Sequence, residues 1–338
     1  MLKFSGQFLA VLLIFPGLAH AFEPFQVLPE SPPIPHDNPQ SDAKIALGKM
    51  LFFDRRLSVN GSLSCNSCHD LTRGGADFRS VSIGATGIAG RRSAPTLWNV
   101  AYQTVLYWDG RAASLEQALA SHFTDETVMA MPSKQAVVTA IKRVAGYEDY
   151  FARSFNGQVV SYENINRALA SFIRSLKTPN SAFDKYLAGN KQALSSSARR
   201  GFTTFVDSGC ASCHFWVNLS GPVPGLAFEM GEGFYELFPN YPGTADESRY
   251  HLADDLGRYM ITDEATDRRM WRVPVLRNIA LTAPYFHNGS VATMEDAIRV
   301  MARTQLNKDF NDKQVADIAA FLQTLTGKFP DLIIPRVP

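Results

Sequence analysis

Two segments, SLSCNSCHDL at residues 62–71 and SGCASCHFW at 208–216, carry the same Cys-x-x-Cys-His box, and together they use all four cysteines of the chain. Four cysteines in an exported protein ordinarily suggest two disulfides, and two Cys-x-x-Cys pairs could build a four-sulfur zinc site. Neither arrangement gives a reason for a histidine directly behind each pair. Covalent attachment of c-type haem does: the two sulfurs bond to the vinyl groups and the histidine binds the iron. The boxes therefore predict two covalently bound haem c groups, one on Cys65, Cys68 and His69, the other on Cys210, Cys213 and His214. Any fold must wrap two large planar groups.

The rest of the chain fits a globular protein. Lys and Arg number 33 against 32 Asp and Glu, with 46% hydrophobic and 19% charged residues, which excludes broad electrostatic capture of nucleic acid. The opening MLKFSGQFLAVLLIFPGLAHAF has a basic start at Lys3, an apolar run through Phe15 and small residues at Ala19 and Ala21. It reads as a signal peptide, residues 1–21, cleaved after Ala21 and directing the chain to the periplasm. No later run reaches the length of a membrane span.

After the proline-rich arm that follows the signal, Ser41 and Asp42 can cap a helix in which Ala43, Leu47, Met50 and Leu51 recur at helical spacing. Further helical patterns run over 114–121, 133–144, 161–177, 196–207, 292–303 and 311–325, and alternating strand patterns are scarce. Glycine- and proline-rich stretches between them predict long loops, ordered by packing on the porphyrins. Pro179 and Asn180 in KTPNSAFDKY break one helical pattern before the next and mark a joint. The reading is an all-α protein of two cytochrome c-like domains, residues 22–180 and 181–338, each around one haem. Beyond the boxes, no internal repeat is evident.

The segments LGKMLFFDRRLSVNGSLSCNSCH, SAPTLWNVAY, YWDGRAASLEQAL, GCASCHFW, VPVLRNIALTAPYFHNGSVATMEDAIRVM and IAAFLQTLTGK cover nearly the whole mature chain. Together they resemble the bacterial dihaem cytochrome c peroxidases and their MauG-like relatives. The resemblance implies that His69 is the proximal ligand of a peroxidatic haem and His214 that of an electron-transfer haem. It places the second ligand of the latter fourteen residues after the histidine of PYFH, which from His287 gives Met301; MauG-type proteins have a tyrosine there. A thioether favours reduced iron, so Met301 points towards a peroxidase relay. Core packing is the other reading of Met301, and Met270 the alternative ligand. By the same resemblance His287 lies near the second haem without binding it, and Trp108 stands between the haems as a relay, its other reading being simple core packing.

The chain departs from the pattern at two places. Where many of these peroxidases close the reactive haem with the histidine of SIGH, this chain reads SIGA, so Ala85 implies an N-terminal haem open at rest. The glutamate expected before Met129 is Val128, and ALASHFTDETVMAM lacks the usual Gly-Pro and runs one residue out of register. His122, Asp125 and Glu126 are the candidates to handle protons in its place, and Gln117 matches a pocket glutamine. The resemblance further implies one calcium ion between the domains, with Ser93, Thr282 and Pro284 at the matching positions; serine there replaces an asparagine ligand.

Three functions follow as expectations. The first is an exported peroxidase that reduces hydrogen peroxide with electrons from a small cytochrome c or cupredoxin. The second is a MauG-like enzyme that uses peroxide to oxidise a side chain of a partner protein. The third is a dihaem electron carrier without catalysis, for which the missing glutamate is the best support. The oligomeric state is left open between monomer and homodimer.

Overall fold

The structure is a computed structural model that describes residues 24–222 and 232–338; the expected signal peptide lies outside the described residues. All seven expected helices are present: α1 (Asp42–Phe53), α2 (Leu115–His122), α3 (Lys134–Lys142), α5 (Tyr162–Ser175), α7 (Ser196–Asp207), α10 (Met294–Leu306) and α11 (Asp312–Gln323). Each begins at a side-chain cap visible in the sequence, for example Ser41 accepting from Lys44 N, Ser161 from Asn164 N and Asn311 from Gln314 N. Four shorter helices were not expected: α4 (Tyr147–Ser154), α6 (Ala182–Leu187), α8 (Ala245–Arg249) and α9 (Tyr259–Thr262). They span eight residues or fewer, and α4 starts behind Gly146, which has no side chain to cap it. The strands found among the described residues are β1 (Tyr235–Leu237) and β2 (Met270–Arg272), an antiparallel pair with Tyr235 opposite Arg272.

The buried apolar side chains form two large clusters. One gathers Leu47, Leu51, Phe52 and Phe172 with residues up to Leu176; the other gathers Phe183, Phe205, Ile318 and Phe321. Near KTPNSAFDKY the chain passes from one cluster to the other, and that segment is firmly fastened. Thr178 is fully buried, its amide donates to Asn99 Oδ1 at 2.9 Å, and its hydroxyl accepts from both Asn99 Nδ2 (2.8 Å) and Asn278 Nδ2 (2.9 Å). The ends of the chain also cross. Phe25 packs in the second cluster, while Phe329, Leu332 and Val337 pack on the first.

The two halves repeat one another, contrary to the sequence reading. In the first, α1 crosses α5 so closely that a Cβ on Gly48 would lie 1.9 Å from Ala168 O; in the second, α7 crosses α11 and a Cβ on Gly201 would lie 1.8 Å from Asp317 O. Asn99 and Asn278 both have φ 62°, and their amides donate to Leu176 O and Leu325 O at the ends of the α5 and α11 segments. From there the correspondence runs at a constant shift of 179 residues (99 to 278). Leu106 bridges Ala112 as Tyr285 bridges Val291, Tyr107 and Phe286 have φ 67° and 72°, Gly110 and Gly289 have φ 68° and 59°, and Ser114 and Thr293 cap α2 and α10. Between box and asparagine the second half carries a longer insertion, so the boxes stand at a shift of 145 residues (65 to 210) while the segments behind them match at 179, where Pro95, Leu97, Asn99, Gly110 and Glu116 recur as Pro274, Leu276, Asn278, Gly289 and Glu295.

Candidate functional site

Each box opens on its own cavity, and all four cysteines are free thiols, so the disulfide alternative falls. Cys65, Cys68 and His69 line a cavity of 520 Å³; Cys210, Cys213 and His214 line one of 210 Å³. The cysteine pairs are thus on different cavities, which does not suit a shared four-sulfur zinc site. In each box a short 3-10 turn, Cys65–Ser67 or Cys210–Ser212, brings the second sulfur and the histidine to the same wall. The histidines are held alike: His69 Nδ1 bonds Pro95 O at 3.0 Å and His214 Nδ1 bonds Leu219 O at 2.8 Å. A carbonyl partner takes Nδ1–H, so Nε2 carries the lone pair that a metal needs. Burial pushes both rings down to about 4, which keeps them neutral, and pushes the Cys65 and Cys213 thiols up to about 12.

The walls shared by the cavities decide whether haem fits. Trp108 and Arg272 line both. Trp108 is fixed by Nε1 donating to Ser93 O at 2.9 Å. Arg272 is buried and donates to two carbonyls, Tyr107 O at 2.8 Å and Val273 O at 3.1 Å. Burial pushes it down to about 10, against the opposing influence of Tyr235 and Asp109. A guanidinium placed this way calls for an anion. Trp271 Nε1 and His287 Nε2 are also buried on the smaller cavity without a hydrogen-bond partner, their rings stacked at 4.2 Å. Carboxylates on a planar apolar group, as in haem with its propionates, match this donor set.

Met301 lies on the wall of the His214 cavity, and Met270 is not among its lining residues. Met270 is spent in β2 opposite Leu237. The cavity also holds Met294, seven residues before Met301 on the same helix, which sequence reading missed. The repeat separates the two: Met294 corresponds to Leu115, an apolar wall residue of the other cavity, whereas Met301 corresponds to His122.

The proton-handling candidates are divided by the structure. His122 and Asp125 line the His69 cavity with Val128 and Met129. Gln117 is exposed on α2, and its Oε1 accepts from Ala113 N at 2.7 Å; Glu126 is exposed and meets Thr86 Oγ1 through its backbone carbonyl. Neither lines the cavity: the fold leaves both side chains at the surface. Ala85 is not at the cavity either, because its loop docks on the 125–130 segment, with Ala85 N donating to Val128 O at 2.8 Å. Of the residues matched to calcium, Ser93 engages both backbone groups between the halves, its amide donating to His287 O at 2.7 Å and its carbonyl accepting from Trp108. The Thr282 hydroxyl donates to Ile279 O, and Pro284 follows a cis peptide bond. Among the described residues no group of three or more His, Cys, Asp or Glu could hold a metal ion.

Comparison with known proteins agrees with this geometry. The profile of the family described as di-haem cytochrome c peroxidase matches residues 42–192, and a cytochrome c-like profile of the RoxA-like type matches 271–308. Cytochrome c551 peroxidase of Nitrosomonas europaea is 38% identical over 322 residues, covering 95% of this chain and 90% of that protein. The chain belongs to the di-haem cytochrome c peroxidase and MauG family. Methylamine utilization protein MauG of Methylophilus methylotrophus is 30% identical, over 92% of this chain and 90% of its own. A solved MauG-like protein associated with microbial copper homeostasis superposes with a TM-score of 0.79 at 31% identity, covering 89% of this chain and 95% of that one. As a member of this family the chain is an oxidoreductase with a helix-rich fold. No helix among the described residues is long and apolar enough to cross a membrane.

Besides Met294, cavity residues that sequence reading did not single out include Tyr107, Arg111, Trp271 and Arg272. Tyr107 and Arg111 sit inside the quoted YWDGR segment, and the repeat, once seen, would have singled out Tyr107 against Phe286.

Proposed function

We propose that this protein is an exported peroxidase that reduces hydrogen peroxide to two waters, taking two electrons singly from a small c-type cytochrome or cupredoxin and two protons from solvent. The observation that carries the reading is the pair of box-lined cavities with Trp108 and Arg272 as common wall. Haem would be held by Cys65, Cys68 and His69 in one cavity and by Cys210, Cys213, His214 and Met301 in the other, and would supply the redox chemistry. On the larger cavity, His122 Nε2 can accept a proton while Ala118 O and Tyr107 Oη hold Nδ1–H, and the Arg111 guanidinium adds positive charge to that wall. Trp108, shared by both walls, offers the short route for electrons. A calcium ion between the halves, near Ser93, Thr282 and Pro284, is part of this reading; chelation would then slow turnover without releasing haem.

Peroxide consumption by the holoprotein with a reduced small cytochrome tests the reading. Two donor equivalents oxidised per peroxide are expected, and peroxide loss without donor oxidation would overturn it. A MauG-like role is the second reading, supported by the likeness to the MauG-like copper-homeostasis protein, by Ala85 and by Val128 in place of glutamate. It requires a mass change in a partner protein when peroxide is added with no reduced donor.

A further inference from the structure

The repeat sets His122 in the first half where Met301 stands in the second. Both lie fourteen residues after the aromatic that follows the left-handed turn, Trp108 in one case and His287 in the other. Both are on the helix that Ser114 or Thr293 caps, and both line the cavity of their own box. A second difference between the halves goes with this one. Tyr107, which matches Phe286, adds a hydroxyl that the second half lacks, and that hydroxyl bonds His122 Nδ1 at 2.9 Å and Ala118 O at 2.7 Å while the two rings stack 5.6 Å apart at 22°. His122 Nδ1 also reaches Ala118 O at 2.9 Å.

The hydrogen-bond network assigns Nδ1–H to His122, because a backbone carbonyl can only accept. His122 is therefore set as His69 and His214 are set, with Nδ1–H on a carbonyl and Nε2 left as the donor atom. A general base needs only to be within reach of a proton. A fixed tautomer, a ring locked by stacking and a place on the helix that matches the other half's proposed ligand are what a metal ligand needs.

We propose that His122 binds the iron of the His69 haem through Nε2 in the ferric protein, closing from α2 the face that Ala85 leaves open. This rests on the reading that each box carries haem, and it reverses the expectation of an open resting site. Tyr107 is a positioning residue that holds the ring. Peroxide would then reach that face only with the His122 ring displaced, and its Nε2 would be the proton acceptor described above.

The test uses ferric holoprotein and electron paramagnetic resonance. Two low-spin signals are expected. His122→Ala should convert one to high spin while the thioether band assigned to Met301 persists, showing the second half intact, and added imidazole should restore the low-spin signal. Tyr107→Phe should leave a mixture of spin states. Cyanide, which competes for the same position, should bind the wild type at least ~10-fold more weakly than His122→Ala, since a ligated state in ~10:1 excess lowers apparent affinity by that factor. A high-spin signal of equal size in wild type and His122→Ala, with equal cyanide affinity, would overturn the proposal while leaving the haem assignment standing. Protein that carries no haem on Cys65 and Cys68 would overturn the haem assignment, and the proposal with it.

Discussion

The two halves are built on one plan and differ where chemistry needs them to. A helix pair closed by a glycine, a left-handed asparagine, a bridged turn and a capped helix recur in both. Yet the first encloses 520 Å³ with His122, Asp125 and Arg111 on the wall, and the second 210 Å³ with Met301, Met294 and Phe286. The larger, polar cavity suits a small reactant and moving protons; the smaller, apolar one suits an iron that changes only its charge. The frame thus specifies where a group sits, and a few side chains at equivalent positions specify what it does. A second contrast lies one residue before the asparagines. Trp98 meets the tail through Phe329, with centroids 5.0 Å apart, while Arg277, at the matching position, is fully buried, pairs with Asp184 at 2.8 Å and donates to Gln26 O in the leading arm.

The largest effect should come from emptying one half. Replacing Cys65 and Cys68 with alanine is expected to lower the mass of the denatured protein by one haem and abolish peroxide reduction, while the Met301 thioether band remains. Retention of both haems after denaturation would show that the halves are not separate attachment sites. Met301→Leu addresses the other half: the near-infrared thioether band should vanish and the donor should be oxidised more slowly, with the spin state of the His69 haem unchanged. Persistence of the band, with loss only on replacing Met270 or Met294, would break the correspondence between Met301 and His122.

Asp184→Asn tests the contrast between Arg277 and Trp98. It leaves a buried guanidinium unpaired and should cost about 3–5 kcal/mol of unfolding free energy in denaturant titration. Burial alone would raise the Asp184 carboxyl, but Arg277 and the bonds from Ser181 hold it below the usual carboxylate range. The pair's stabilisation is therefore fully present above about pH 4, where an unfolded aspartate is ionised, and is lost as pH falls through the depressed value. The variant should show a shallower loss of stability in acid than the wild type; an equal slope would mean that the pair does not contribute. Gly48→Ala and Gly201→Ala test the shared crossing directly, since each puts a methyl group 1.9 Å or 1.8 Å from a backbone carbonyl oxygen and forces the helices apart. Each should cost about 3 kcal/mol or more, and similar values in the two would support the shared helix crossing.

Much of this was legible in the sequence because it rests on local signals. Ser41, Ser114, Ser161 and Asn311 announce helices that exist, the boxes announce their cavities, and counting from His287 reaches a methionine that does line one. What was hidden depends on chain that returns from far away. Gln117 and Glu126 carry the right chemistry for the pocket, but the fold leaves both exposed, with Gln117 Oε1 held by Ala113 N and the Glu126 carbonyl by Thr86. Arg272 looks like any surface arginine until β2 carries it between the cavities. The repeat escaped because its two parts stand at different shifts, 145 residues for the boxes and 179 for the segments behind them, although identities such as Asn99 with Asn278 and Gly110 with Gly289 were there to be read.

The crossed ends of the chain bear on the order in which the protein can be completed. Phe329 packs on Trp98, and Leu332 and Val337 on the same core cluster, so the first half's core is unfinished until residue 337 has been synthesised, however early its own helices form. The leading arm works the opposite way: Phe25 waits for a core that is made last. Completion of the two cores is thereby coupled across the whole length of the chain, and a truncated product would be left with a frayed first half and a loose leading arm.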